Sequence, residues 1–242
     1  MKKSSVFLLL LFCALTCCGA TALSDLPWRA GMVLTERQVA EVGLDRCFTA
    51  SEISDAVFER MQGKSWKAGC SQKRSDLRYL RVLHHNAKGE IQVGELVCHR
   101  LIADRLLRIF RKLYDARYRI ERMVLIDEYD GDDTRSMEAN NTSCFNFRAV
   151  AGTRKLSKHS LGLAIDLNPL YNPYITTRNG KRVVQPAKGA RYADRSARSN
   201  IPVTLIDHND LAYKLFRAEG FTWGGDWRHS KDYQHFEYRI KN

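Results

Sequence analysis

The chain has 242 residues, of which 44% are hydrophobic, 10% aromatic and 27% charged, proportions typical of a folded globular protein. They exclude a disordered tail, a collagen-like fibre and a multi-span membrane protein. The 39 Lys and Arg outnumber the 27 Asp and Glu, and the formal charge of +12 favours anionic partners.

Lys2 and Lys3 open the chain, Val6 to Leu15 is an uncharged apolar run, and Ala20-Thr21-Ala22 gives a small-x-small cleavage pattern. Residues 1–22 therefore read as a secretory signal peptide, and the expected location is periplasmic or extracellular. Leu15-Thr16-Cys17-Cys18-Gly19 loosely resembles a lipoprotein box with Cys18 as the lipidated residue, so soluble export and lipid anchoring both stay open. The run is too short to span a bilayer, and no later stretch approaches about 20 apolar residues. No transmembrane segment is expected. Removing Lys2 and Lys3 lowers the formal charge to +10. Export argues against nucleic acid as the partner, and no zinc-finger spacing or compact basic run speaks for it. A monomer is expected.

Export also sets the reading of the cysteines left after cleavage, Cys47, Cys70, Cys98 and Cys144. An even number in an oxidising compartment favours disulfides, with three connectivities open. Cys47–Cys70 with Cys98–Cys144 is preferred, because it keeps the first bridge inside the N-terminal segment; four buried thiols are the alternative.

Residues 23–75 read as a helical N-terminal region, and 76–242 as the main domain. Thr35 precedes Glu36, Val39 and Val42, and Ser51 and Ser54 precede Val57, Phe58 and Met61 at helical spacing. Leu77 to Val82 and Ile91 to Val97 predict two strands around a hairpin loop at Asn86-Ala87-Lys88-Gly89. Arg100 to Ala116 predicts the clearest helix, with an apolar stripe and Arg and Lys opposite it. Met123 to Ile126 predicts a short strand. Gly162 to Leu167 alternates as a strand, and Asn168 to Asn200 reads as one long loop. Asp207 to Glu219 predicts a helix ended by Gly220, and Phe221 to Trp223 and His235 to Tyr238 predict the last strands. Helices and strands without regular βαβ alternation point to an α+β fold.

Two C-terminal segments carry more chemistry than packing requires. Ser157-Lys158-His159-Ser160-Leu161-Gly162-Leu163-Ala164-Ile165-Asp166 offers an imidazole and a carboxylate. Gly224-Gly225-Asp226-Trp227 and Asp232-Tyr233-Gln234-His235-Phe236-Glu237 offer a second imidazole and further acids. Two His and one Asp make a three-ligand zinc site with the fourth position open. Gly162 lets the backbone turn so that His159 and Asp166 reach one ion. Asp127, Glu128, Asp130, Asp132 and Asp133 form an acidic loop without EF-hand spacing, a weaker calcium candidate.

His-x6-Asp followed by Asp-x-x-His-Phe-Glu resembles the D-alanyl-D-alanine carboxypeptidase family of zinc peptidases. That family includes a vancomycin-resistance dipeptidase and phage L-alanyl-D-glutamate endopeptidases. Ser136 to Ser143, Phe145-Asn146-Phe147-Arg148 and Ile165 to Tyr174 resemble its carboxypeptidase-like branch. The resemblance implies the fold shared with lysostaphin-type peptidases and the hedgehog domain, a central antiparallel sheet with flanking helices. It implies one Zn²⁺ per chain on His159, Asp166 and His235, and peptidoglycan stem peptides as substrate. It also implies Asp232 as general base, where the dipeptidase branch has Glu, and Arg148 as anchor for a substrate carboxylate or the oxyanion. Glu237 is a candidate to orient a ligand His from behind, and Trp223 and Trp227 are candidate cleft walls. D-Ala-D-Ala carboxypeptidase and L-Ala-D-Glu endopeptidase activity are not separated. A non-catalytic zinc-containing binding module of the cell envelope is the rival reading, since the hedgehog branch shows the fold in binding.

Overall fold

The structure, a computed structural model, describes residues 28–150, 153–195 and 204–240. The expected signal peptide, residues 1–22, and with it Cys18, lies outside the described residues. The architecture is α+β, with antiparallel strands distributed over three small sheets rather than one.

The first sheet is built on the predicted hairpin. Leu77–His85 (β3) and Ile91–His99 (β4) pair along their whole length, Leu77 opposite His99 and His85 opposite Ile91. Asn86 closes the turn by accepting from the backbone N–H of Lys88 and of Glu90. Val33–Leu34 (β1) and Thr49–Ser51 (β2) add the outer strands, in the order β1-β4-β3-β2. Period-2 alternation sends Leu80, Val82, Leu96 and Cys98 to one face and Leu77, Leu83, Val93 and Val97 to the other, and both sets are buried.

Arg100–Asp115 (α3) covers the first face with Ile102, Leu106, Ile109, Phe110 and Leu113. Each such side chain contributes about 1.5–3 kcal/mol by leaving water. Its basic residues turn outward and pair with acids, Arg108 with Glu219 and Arg111 with Asp45 and Asp115. Residues before β3 cover the second face. Thr35 and Gln38 form a capping box that starts Glu36–Val42 (α1), and Ser54 caps Asp55–Met61 (α2). Val39 packs with Leu83, Ile91 and Val93, and Val57 and Met61 pack with Leu77 and Val97. Glu95, buried on this face, takes two hydrogen bonds from the Arg60 guanidinium and one from the Tyr79 hydroxyl. The N-terminal region thus holds the expected helices and, in addition, supplies two strands of this sheet.

Ala164–Asp166 (β5), Phe221–Trp223 (β8) and His235–Tyr238 (β10) form the second sheet, in the order β5-β10-β8. Ile165, Phe221, Trp223 and Phe236 pack with Phe216 of Leu211–Ala218 (α5) and with α3 in one cluster. Tyr174–Arg178 (β6), Lys181–Gln185 (β7) and Lys231–Asp232 (β9) form the third sheet, in the order β7-β6-β9.

Four expectations are corrected. The segment 168–200 is not one long loop. It contains the β6–β7 hairpin, turned at Asn179-Gly180 with φ of 51° and 71°, and a 3₁₀ helix at Ala187–Tyr192. Residues 123–126 form no strand, because the Asn141 side chain takes both backbone groups of Val124 and Ile126–Tyr129 turns into a 3₁₀ helix. The last helix starts at Leu211 instead of Asp207, because Asp207 closes a turn onto Asn209 and Asp210 while Asp210 caps the helix. All four described cysteines are free thiols. Cys47 belongs to the cluster around Leu83 and Val93, and Cys70 packs against the cluster around Met61 and Leu77, so the preferred first pair is split between two packing units. Cys98 and Cys144 share the main cluster, where burial raises both thiol pKa values.

One buried group couples the fold to pH. His84 is 2% exposed; its Nδ1–H donates to the Ile120 carbonyl, and Nε2 is enclosed with no partner among the described residues. Gly94, opposite Val82, leaves it room, since a Cβ there would come within 3.0 Å of the imidazole. Burial lowers the His84 pKa from 6.5 to about 4. The folded pKa lies below the unfolded one, so stability is full above pH 6.5 and falls as pH drops toward 4, by at most about 3 kcal/mol. His84→Asn should flatten that slope by close to one proton. Urea unfolding at several pH values across the window checks this, and unchanged slopes would clear His84.

Candidate metal centre

Three segments far apart in sequence meet at Asp166. In β5 it lies directly opposite His235 of β10, and its backbone also exchanges two hydrogen bonds with Ser143. His159 arrives on a 3₁₀ turn, Lys158–Leu161, capped by the Ser157 hydroxyl. The turn ends at Gly162, which has φ of 65° and whose carbonyl accepts from the His99 N–H at 2.9 Å. A Cβ at 162 would stand 2.7 Å from the His99 nitrogen. Only glycine allows both the left-handed turn and the close approach to the end of β4. The turn expected at Gly162 is therefore present.

The three side chains are buried, and their candidate ligand atoms all lie within 4.8 Å of one another. His159 Nε2 lies 3.3 Å from Asp166 Oδ2 and 3.2 Å from His235 Nδ1, and His235 Nδ1 lies 3.0 Å from Asp166 Oδ1. Donors about 2.0–2.1 Å from a tetrahedral zinc stand roughly 3.3 Å apart, so the donor set fits that ion. The tautomer fits as well. His159 Nδ1 faces the Cys144 carbonyl at 2.6 Å; a carbonyl only accepts, so the proton sits on Nδ1 and the Nε2 lone pair faces the cluster. His235 Nε2 lies 3.5 Å from Glu237 Oε2, the arrangement expected of a carboxylate that orients a ligand imidazole.

The electrostatics point the same way. Burial alone would raise the Asp166 pKa, but the two imidazoles hold it well below the usual carboxylate range. Burial would lower that of His235, but its bonds to Asp166 and Glu237 push it up to about 10. The His235 bond brings Glu237 down to about 2. The cluster favours positive charge at its centre.

Asp232, in β9, is half-buried with Oδ1 enclosed and unpartnered among the described residues. Burial, then Asp166 and Asp133, raise its pKa to about 7 against the pull of His235 and a hydrogen bond from Gln234. Gly224 has no room for a side chain because the Asp232 backbone and Cβ lie against it. Arg148 is 25% exposed along its side chain and pairs through Nη2 with Asp133 at 2.8 Å; its Nε is enclosed without a partner among the described residues. Trp227 lies against the His235 ring, with centroids 5.4 Å apart, whereas Trp223 belongs to the core. The acidic loop gathers no cation cluster. Asp127 accepts from the Ser65 N–H, Asp132 caps Asp133–Glu138 (α4), and Asp130 pairs with Lys64 and Arg135. The one group of metal-ligand geometry among the described residues is His159, Asp166 and His235.

Residues 151–238 match the family described as D-alanyl-D-alanine carboxypeptidase. This is the peptidase family that the motifs resemble, and the matched span holds His159, Asp166, Asp232, His235 and Glu237. No solved structure matches the chain. The sequence reading did not find the Cys144 carbonyl, Asp133 or Gln234. A backbone acceptor leaves no residue signature, and Asp133 looks like one acid among several in its loop.

If these donors hold the ion, elemental analysis should find one zinc per chain, and His159→Ala and His235→Ala should each lose it. Glu237→Gln should keep the stoichiometry with affinity about 10- to 100-fold weaker. Full zinc occupancy in His159→Ala would remove that residue from the centre.

Proposed function

We propose that this chain is an exported zinc peptidase that hydrolyses stem peptides of cell-wall peptidoglycan, of D-Ala-D-Ala carboxypeptidase or L-Ala-D-Glu endopeptidase type. The observation that carries the reading is a buried His159–Asp166–His235 donor set with an enclosed, unpartnered carboxyl oxygen of Asp232 beside it. A site that only ties a fold together has no use for a free carboxyl next to its metal.

A zinc ion bound there supplies a Lewis acid for the scissile carbonyl and for water. The chain supplies the rest. Asp232, whose Oδ1 is enclosed and unpartnered among the described residues, accepts the proton of the attacking water and returns it to the leaving amine. Arg148 presents a permanently charged fork to a substrate carboxylate or to the developing oxyanion. Glu237 fixes the His235 ring, and Trp227 screens it from water.

Zinc-loaded protein should release amino acid or peptide from purified muropeptides, with mass spectrometry showing which bond is cut. Asp232→Asn should fold and keep zinc but lose about 10²–10⁴-fold in kcat, and Asp232→Glu should recover part of it. Near-native turnover by Asp232→Asn would refute the base assignment, and no hydrolysis of any stem peptide would refute the function.

Arg148→Lys keeps the charge without the fork. It should lower kcat/KM about 10- to 1000-fold at unchanged zinc content. Unaltered kinetics would leave Arg148 as the ion-pair partner of Asp133 alone.

A further inference from the structure

The segment leading to Arg148 is extended, and its side chains alternate. Phe145 and Phe147 turn to the cluster around Trp66 and Met61. Cys144, Asn146 and Arg148 take the other face. Cys144 is close enough to Asp166 for that carboxylate to help raise the thiol pKa. The backbone runs beside the ligand turn: the Asn146 N–H donates to the His159 carbonyl at 3.2 Å, and the Arg148 N–H donates to the Ser160 hydroxyl at 2.9 Å. Asn146 is 2% exposed. Its Nδ2 donates to the Gly131 carbonyl at 3.3 Å, which fixes the amide, while Oδ1 has no partner among the described residues. Two positions along the same face, Arg148 Nε is also enclosed and unpartnered.

A buried acceptor left without a donor destabilises the fold, as does a buried donor without an acceptor. Here one of each sits on the same side of an extended segment whose backbone runs beside the His159 turn. A residue's backbone has one donor and one acceptor. We infer that Asn146 and Arg148 form a clamp for the backbone of one extended substrate residue, whose N–H and C=O face the same side, with Asn146 Oδ1 accepting its N–H and Arg148 Nε donating to its carbonyl or carboxylate oxygen. The inference rests on the peptidase reading for its substrate class, and adds Asn146 as a specificity-determining residue. It predicts that the site distinguishes a peptide from an ester at one position of the backbone.

The test uses zinc-loaded Asp232→Asn protein, which should bind without cutting. Its ligands are a full-length stem peptide and a set of analogues, each with one backbone N–H replaced by an ester oxygen. Calorimetry should show Asn146→Leu, in that background, binding the all-amide peptide about 5- to 100-fold more weakly. For one ester analogue the penalty should vanish, because the N–H that Asn146 accepts is already gone. An equal penalty for every analogue, no penalty at all, or no binding of the all-amide peptide by the parent would each overturn the clamp. If Asn146→Leu does not fold, Asn146→Asp keeps an acceptor and must keep the parent's discrimination against that ester; loss of the discrimination overturns the clamp. Turnover by the unsubstituted enzyme is read separately. Cutting without Asn146-dependent preference removes the clamp alone, and preferential binding without cutting removes the peptidase reading alone.

Discussion

The register of Asp166 is the constraint on which the centre depends. Its backbone N–H and C=O both bond Ser143 on one side, and the ladder between β5 and β10, with Leu167 N–H bonded to the Gln234 carbonyl, sets it opposite His235 on the other, so main-chain bonds rather than side-chain attraction bring residues from three distant segments together. Side chains alternate with period 2, and a slip of one residue in β5 would turn Asp166 into the core and Ile165 into the site. The flanking positions oppose that slip. Leu163, Ile165 and Leu167 are at most 1% exposed in the main cluster, and moving them toward the His159 and His235 side chains would expose their apolar surface to a polar centre. Hydrophobic burial along one face of a three-residue strand therefore holds a carboxylate where its own desolvation opposes it.

The first sheet supports this arrangement from outside. The His159 turn leans on the end of β4 through the bond from His99 to Gly162, so the ligand is as rigid as the hairpin beneath it. That hairpin is rigid because both faces are covered, one by α3 and the other by α1 and α2. Arg60 and Glu95 fasten α2 to the sheet. Glu95 is buried and Arg60 only half-buried, so the pair adds little net stability over an apolar pair, but removing Arg60 would leave a buried carboxylate without its cation. It therefore fixes where α2 docks more than how tightly. The N-terminal segment is thus tied to the site through packing, although none of the proposed site residues lies within it.

Legibility in the sequence followed periodicity. Leu77 to Val97, the stripe of α3 and the C-terminal strands repeat apolar residues at the spacing of their elements, and the structure has them there. The β6–β7 hairpin was hidden by its exposure. Its strands bury little, so they lack an apolar alternation, and the Asn179-Gly180 turn that could have located it was absorbed into a long polar stretch. The error at 123–126 has a different origin. The run is apolar and extended, but the Asn141 side chain replaces the neighbouring strand, and a long-range side-chain partner has no local signature. The cysteine pairing followed compartment logic, which says nothing about which thiols fold into the same cluster. In the site, spacing and resemblance pointed to His159, Asp166 and His235, and geometry brings those three together. What spacing could not supply was the surrounding support: the Cys144 carbonyl on His159, the Asp133 carboxylate on Arg148 and the unpartnered oxygen of Asn146.

The pairing of Arg148 with Asp133 shows how one proposed site handles opposite charges in a chain that is basic overall. Burial, and after it the negative charges of Asp166 and Asp133, disfavour ionisation of Asp232. Arg148 is the cation paired with Asp133, at 2.8 Å. A substrate carboxylate that takes the Arg148 fork draws it from Asp133, and that acid is left to water on the side where it is 30% exposed. In the proposed enzyme, Asp133 thus holds Arg148 in place between substrates.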